Sequence, residues 1–205
     1  MFSIRVADIV LSAIAITVFL PFYFIILFIL LFDDSGPIFF SQKRVTKNEK
    51  LFKFVKFRSM IYSPSANRGD SEEYLTMDLA ELKKIRANYF TTKSSDSRVT
   101  KLGKVLRKTS LDETPQLFSV LKGDMSMVGP RPDPPIQKAD YDPVIWAKRC
   151  EVKSGITGLA QVNGRSLGGV QKRIEYDIYW ADNKSFWLYC KILIKTPFVL
   201  MKNSY

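Results

Sequence analysis

Hydrophobic and polar positions divide this chain unequally. From Ile9 to Phe32 there is no charged residue. Roughly twenty apolar residues cross the hydrocarbon core of a bilayer as a helix, so this run predicts a membrane segment. It is too long for the apolar region of a secretory signal, and Asp33-Asp34 follow it where a cleavage site would need small residues. Pro21 falls at its midpoint, with Phe22, Tyr23 and Phe24 directly after. A proline removes one backbone hydrogen bond and bends a helix. Arg5 precedes the run, and Lys43, Arg44, Lys47, Lys50, Lys53, Lys56 and Arg58 follow it. The positive-inside rule keeps both basic flanks in the cytoplasm, which implies a re-entrant helix broken at the proline. A simple span with its N-terminus outside stands as the alternative.

Downstream the period changes. Ile38 to Gln42 and Leu51 to Phe57 read as two strands of a small β-hairpin, turning near Lys47-Asn48-Glu49. In the second strand Phe54, Lys56 and Arg58 share one face, because side chains alternate. The polar stretch 63–97 reads as a surface insertion, within which Leu75, Leu79, Leu82 and Ile85 give Glu72 to Ala87 a helical period. Val99 to Lys108 predicts a basic helix. Pro130, Pro132, Pro134 and Pro135 forbid regular structure around Arg131 and would hold its side chain in place. Gly155, Gly158, Gly164, Gly168 and Gly169 mark a loop-rich region around Gln161 to Arg165, where backbone can approach a ligand closely. From Phe186 to Met201 aromatic and aliphatic residues interleave with lysines. That pattern suits an amphipathic helix in the membrane interface or one packed on a core. The pattern as a whole predicts an α+β, mainly helical fold. Residues 1–34 are expected to form the membrane helix and 35–205 the remaining domain, with an interfacial helix at about 186–202.

Composition narrows the chemistry. The 205 residues carry 31 Lys and Arg against 20 Asp and Glu, a net charge of +11. Such a surface suits an anionic partner or, equally, a solvated exterior. There is no histidine. Ser-His-Asp and Cys-His relays are therefore excluded, as is a His-containing zinc site. Cys150 and Cys190 lie in no metal-ligand spacing, form no disulfide framework and read as small buried residues.

The most informative stretch is Arg107 to Phe118, centred on Asp112-Glu113. Its plain reading is a helix start. Ser110 and Glu113 have capping-box spacing, Thr114-Pro115 offers a second start, and Gly123 ends the helix. The functional reading is that adjacent carboxylates at a helix N-terminus stay ionised, the form that attacks phosphorus or binds Mg²⁺. Arg107 and Arg131 can clamp phosphate oxygens. Carboxylate, hard cation and several cations together are the parts of phosphoryl transfer. No Walker-type Gly-Lys loop is present to suggest an ATPase.

Five segments carry a resemblance. They are Lys56-Phe57-Arg58-Ser59-Met60, Ser110 to Gln116, Leu121-Lys122-Gly123-Asp124-Met125-Ser126, Gly129-Pro130-Arg131-Pro132, and Gly155 to Arg165. In this order they resemble the bacterial monotopic phosphoglycosyl transferases, the sugar transferases that start glycan assembly on undecaprenyl phosphate. The resemblance runs over nearly the whole chain. It implies a re-entrant helix broken at Pro21, interfacial helices, and a catalytic domain on the cytoplasmic face of the bacterial inner membrane. The family often has Ser before that proline, where this chain has Leu20.

The resemblance also implies a reaction. Asp112 would attack the β-phosphate of a UDP-sugar, release UMP and pass the phospho-sugar to polyprenyl phosphate, with Glu113 assisting. Mg²⁺ would sit on Asp112. Lys56, Arg58, Arg107 and Arg131 are the phosphate-binding candidates, Gln161, Asn163 and Arg165 the nucleotide candidates, and Asp177 of Glu175-Tyr176-Asp177 an extra carboxylate. The expected partners are UDP-sugar, polyprenyl phosphate and membrane lipid, with no nucleic acid. Two rivals are a non-catalytic membrane-anchored binder of acidic lipid or nucleic acid, and a hydrolase passing the intermediate to water. The insertion resembles members using hexose 1-phosphate donors. The compact chain resembles members using modified N-acetyl sugars, so the donor stays open.

Overall fold

The computed structural model describes residues 2–33, 36–62, 69–89, 97–164 and 169–202. The apolar run forms helix α1, Phe2–Leu31, with Pro21 inside it. It is the one described helix long and apolar enough to cross a membrane, and only 17% of its most apolar window is buried. Ser12 Oγ and Thr17 Oγ1 donate back to the carbonyls of Ile9 and Ala13. Back-bonding of this kind bends helices.

Both ends of α1 are fastened to the rest of the protein. At the N-terminal end the buried Asp8 carboxylate accepts from Ser126 Oγ at 3.0 Å, Met127 N–H at 2.8 Å and Tyr189 OH at 2.9 Å. Arg5 donates to the carbonyls of Val120 and Leu121 at 2.6 and 2.7 Å, where a helix end leaves acceptors free. Toward the other end, Tyr23 OH donates to Thr114 O at 3.0 Å. Tyr23, Ile26 and Leu30 pack with Phe57 and Leu106. The face left over carries Ile14, Val18, Phe24, Ile25 and Phe28, all exposed.

The expected hairpin is present. Strands β1, Phe39–Val45, and β2, Leu51–Phe57, pair antiparallel with Phe40 opposite Lys56. Asn48 and Glu49 turn the chain at φ 58° and 55°. Two short helices follow, α2, Glu73–Thr76, and α3, Leu79–Ala87. The single helical period read over Glu72 to Ala87 is thus interrupted, because the Asp78 side chain caps a fresh start through Ala80 and Glu81 N–H. Leu82 packs with Ile136 and Ala139, so the insertion has its own small core.

Helices α4, Lys101–Thr109, and α5, Gln116–Lys122, lead to strand β3, Ser126–Val128. Helix α6, Pro143–Arg149, precedes β4, Gly155–Thr157, which pairs parallel with β3 in a second small sheet that the pattern did not suggest. Helices α7, Leu159–Val162, α8, Gly169–Asn183, and α9, Phe186–Lys202, complete the chain. The packed reading of the last helix holds for one of its faces. Tyr189 and Ile192 of α9 are buried with Ile4 and Val128, while Trp187, Ile194 and Phe198 stay exposed beside Lys191 and Lys195.

Candidate active site

Thr100 caps α4 by accepting from Gly103 N–H at 2.9 Å. A Cβ on Gly103 would lie 1.9 Å from Ser59 O, so only glycine lets α4 press against the end of β2. That approach brings Arg107 of α4 and Lys56 of β2 to one place, and both act electrostatically on Asp112. The chain then reverses at Ser110, φ 57°, and runs through a 3-10 turn, Leu111–Glu113, into α5. The capping box is not formed. Ser110 closes α4 in a left-handed conformation, makes no side-chain cap, and Glu113 turns to Arg131 instead. Gly123 ends α5 at φ 100°, as its position implied.

Asp112 is 5% exposed and takes no hydrogen bond from the described residues. Its carboxyl is raised above the ordinary range, first by burial and then by the adjacent Glu113, against the pull of Lys56, Arg107 and Arg131. The expected helix-terminus preference for the ionised form is therefore outweighed by desolvation. Lys56 is lowered by the same burial and raised in part by Asp112 and Glu113. Its ammonium lies 5.2 Å from the Phe40 ring centre. Arg131 Nη2 donates to Glu113 Oε1 at 2.8 Å, and Glu113 keeps that guanidinium firmly charged. Arg107 Nη1 is buried without an acceptor among the described residues. A buried donor facing no partner suits an anionic ligand.

The proline-fixed segment is held by more than its prolines. Arg44 of β1 donates to Pro132 O at 3.0 Å, and Arg149 of α6 donates to Arg131 O. Arg149 in turn pairs with Asp133 at 3.1 Å and Asp177 at 3.0 Å, and Arg173 pairs with Asp133 at 3.0 Å. Burial pushes Arg44 down to about 10, helped by the nearby Arg131 and opposed by Asp133, Tyr89 and Glu113.

Lys56, Arg107, Asp112, Glu113 and Arg131 are brought together. Gln161 joins them through a cleft of about 280 Å³ lined by Arg131, Gln161, Val170, Arg173 and Asp177. Both amide atoms of Gln161 are buried without partners among the described residues. Arg58 is placed differently, donating to Leu30 O and Asp33 O and so fastening the end of α1. Asn163 turns back on Leu159 O at 2.9 Å, and Asp177 is committed to Arg149. Arg165 lies outside the described residues. Cys150 is buried, its thiol pushed up to about 11 by burial. Sequence reasoning missed Arg44, Asp133, Arg149 and Arg173. No local signal marked most of them: Arg44 and Arg173 each follow a lysine in a polar stretch, and Asp133 lies among prolines.

No three Cys, Asp or Glu side chains gather among the described residues. Mg²⁺ is commonly held by one carboxylate together with substrate phosphates. Since Arg131 engages Glu113, Asp112 is the residue of this turn that would hold such a cation.

A family model described as bacterial sugar transferase matches residues 1–203. The chain is similar to a UDP-glucose:undecaprenyl-phosphate glucose-1-phosphate transferase of Klebsiella pneumoniae, 38% identical over 95% of this chain and 39% of that protein. It is 40% identical to an undecaprenyl-phosphate galactose phosphotransferase of Salmonella typhimurium over 83% of this chain and 35% of that protein. It is 34% identical to an exopolysaccharide production protein of Rhizobium meliloti over 98% of this chain and 87% of that protein. The chain thus spans only 35% and 39% of two such relatives.

Proposed function

The chain belongs to the bacterial sugar transferase family, and from that premise we propose that it moves a sugar 1-phosphate from a UDP-sugar to polyprenyl phosphate, releasing UMP. The observation that carries this reading is Asp112, a buried carboxylate that takes no hydrogen bond from the described residues and lies near Lys56, Arg107 and Arg131. A carboxylate left unsolvated beside three cations is poised to meet an anionic electrophile.

In this reading an Asp112 oxygen bonds to the β-phosphorus of the donor. The phosphoanhydride bond breaks, and its electron pair leaves on the phosphate of UMP. A phosphate oxygen of the polyprenyl acceptor then bonds to the same phosphorus and returns the Asp112 carboxylate. Lys56 and Arg107 hold equatorial oxygens, where charge grows in the transition state. Glu113 fixes the Arg131 guanidinium, which faces both the Asp112 turn and the cleft. Gln161 offers that cleft one donor and one acceptor, which matches the imide edge of uracil. Mg²⁺ bound at Asp112 would neutralise phosphate charge.

The membrane reading rests on the two ends of α1. Arg5 and Tyr23 are eighteen residues apart, about 27 Å along a straight helix. Their acceptors, Val120 O and Thr114 O, are six residues apart, roughly 9 Å along a helical path. Both ends of α1 thus attach to one short segment of the rest of the chain, which favours re-entry over a single span. Both flanks then lie on the cytoplasmic face of the inner membrane.

The test is UMP release by detergent-purified protein with a panel of UDP-sugars, with and without undecaprenyl phosphate. The expected outcome is about one UMP per protein without acceptor and turnover with it. Asp112→Asn should cost at least about 10³-fold. No UMP from folded protein with any donor rejects the transfer. Undiminished release from Asp112→Asn removes the nucleophile, and free sugar phosphate as product marks a hydrolase.

A further inference from the structure

A second gathering of cations lies at the N-terminal end of α1, eighteen residues from the Tyr23 contact with the reactive turn. Arg5 lies over the last turn of α5, donating to Val120 O and Leu121 O. Gly123 closes that turn at φ 100°, so no side chain stands beside it. A Cβ built there would meet Arg5 Nη2 at 3.3 Å and Lys153 Nζ at 3.5 Å. The gap left by the glycine is thus bordered by two cationic donors from distant parts of the sequence.

Other contacts bring two more lysines toward it. Thr46 Oγ1 donates to Asp124 O at 2.9 Å and accepts from Ser154 N–H at 3.2 Å. Lys47 and Lys153 therefore each stand one residue from a shared contact. Tyr189 OH donates to Asp8, one turn along α1 from Arg5, and Tyr189 N–H donates to Ser185 O. Lys184 enters beside them, just ahead of α9. Ile4, Val152 and Tyr189 share one buried cluster beneath.

Three of these four cations lack an acceptor. Among the described residues the ammonium groups of Lys47, Lys153 and Lys184 make no hydrogen bond or ion pair. Lys153 and Lys184 are half-buried, and burial followed by the neighbouring cations lowers both from the ordinary lysine value. The nearby carboxylates are already engaged. Asp8 accepts three hydrogen bonds, and Asp124 pairs with Lys122 at 3.2 Å. Like charges held together in this way favour an anion that joins them. The border of the patch is apolar. Phe2 is 85% exposed and Trp187 83% exposed, each three residues from Arg5 or Lys184. Tryptophan and lysine together at a helix end suit a membrane interface, with the ammonium on lipid phosphate.

We propose that Arg5, Lys153 and Lys184, with Lys47 at the rim, form a binding site for the headgroup of an acidic phospholipid, apart from the catalytic turn. The site rests on the membrane reading above and uses none of the transfer chemistry. The Gly123 gap admits a phosphate oxygen between Arg5 and Lys153, and Phe2 and Trp187 flank the acyl chains. A zwitterionic lipid brings its own ammonium and gains less from the same cations.

The experiment is native mass spectrometry of detergent-purified protein titrated with phosphatidylglycerol, phosphatidylcholine or inorganic phosphate. Wild type is compared with the double variant Lys153→Gln, Lys184→Gln and with Lys83→Gln, Lys84→Gln, which removes equal charge from α3. Wild type and the α3 variant should retain one phosphatidylglycerol in preference to phosphatidylcholine. The site variant should bind it at least about tenfold more weakly. UMP release and KM for undecaprenyl phosphate should stay as in wild type. Equal retention by the site variant overturns the assignment, as does an equal loss in the α3 variant. Equal binding of phosphatidylcholine overturns it too. Displacement by inorganic phosphate at lipid concentration marks a free-anion site, and a raised KM for undecaprenyl phosphate marks an acceptor site; either rejects the phospholipid. Protein that leaves the membrane fraction without detergent rejects the membrane reading instead, and this site with it.

Discussion

Two buried charge clusters lie side by side, and burial does not distinguish them. Asp112 is 5% exposed, while Asp133, Arg149 and Asp177 are 2%, 4% and 3% exposed. Partners distinguish them. Burial alone would raise Asp133, but Arg149, Arg173 and the Tyr141 hydroxyl, at 2.6 Å, hold its carboxyl below the ordinary range. Among the described residues Asp112 has only through-space cations, and it is held above that range. A carboxylate that is answered by hydrogen bonds belongs to the scaffold. One left unanswered beside Arg107, with its free Nη1, is available to a ligand.

The sharpest way to break this comparison is to remove the scaffold's shared cation. Arg149→Met should leave Asp133 and Asp177 buried without their main partner, lowering stability by about 3–5 kcal/mol. Asp112→Asn should leave the denaturation midpoint unchanged or raised, because it removes a desolvated charge that no described residue hydrogen-bonds. Equal losses in the two variants would erase the distinction. Next in size is Arg131→Lys, which keeps the charge but loses the fork on Glu113. We expect kcat to fall roughly 10- to 100-fold with stability nearly unchanged. A loss confined to KM would make Arg131 a ground-state contact only.

The smallest effect is a displacement of the pH profile. Asp112 must be ionised to attack, and its raised value places the acid limb of UMP release above the usual carboxylate range. Glu113 is one of the groups that raise it, so Glu113→Gln should move the limb to lower pH. A limb that stays in place would show that Asp112 and Glu113 titrate independently.

The sequence announced the parts whose signal is local. The apolar run, the hairpin, Gly123 and the Asp112-Glu113 pair each follow from neighbours along the chain. What it hid depends on distant partners. Arg149 and Arg173 read as ordinary solvated charges until α6 and α8 carry them onto Asp133. Arg58 read as a phosphate ligand because strand alternation assigned its face, whereas the chain leaves β2 at Phe57 and its side chain reaches the end of α1. Ser110 and Glu113 had capping spacing, but the left-handed turn at Ser110 and the pull of Arg131 defeated it. Local spacing cannot register such competition.

Tyr23 donates to the carbonyl of Thr114, two residues beyond Asp112. One hydrogen bond therefore ties the apolar helix α1 directly to the Asp112 turn. On the membrane reading proposed above, this contact would serve as a depth gauge. The height of the carboxylate above the hydrocarbon would be fixed to α1 and would travel with it as the bilayer thickens or thins. An acceptor whose phosphate rides at the lipid surface would then meet the carboxylate at constant height in membranes of differing thickness.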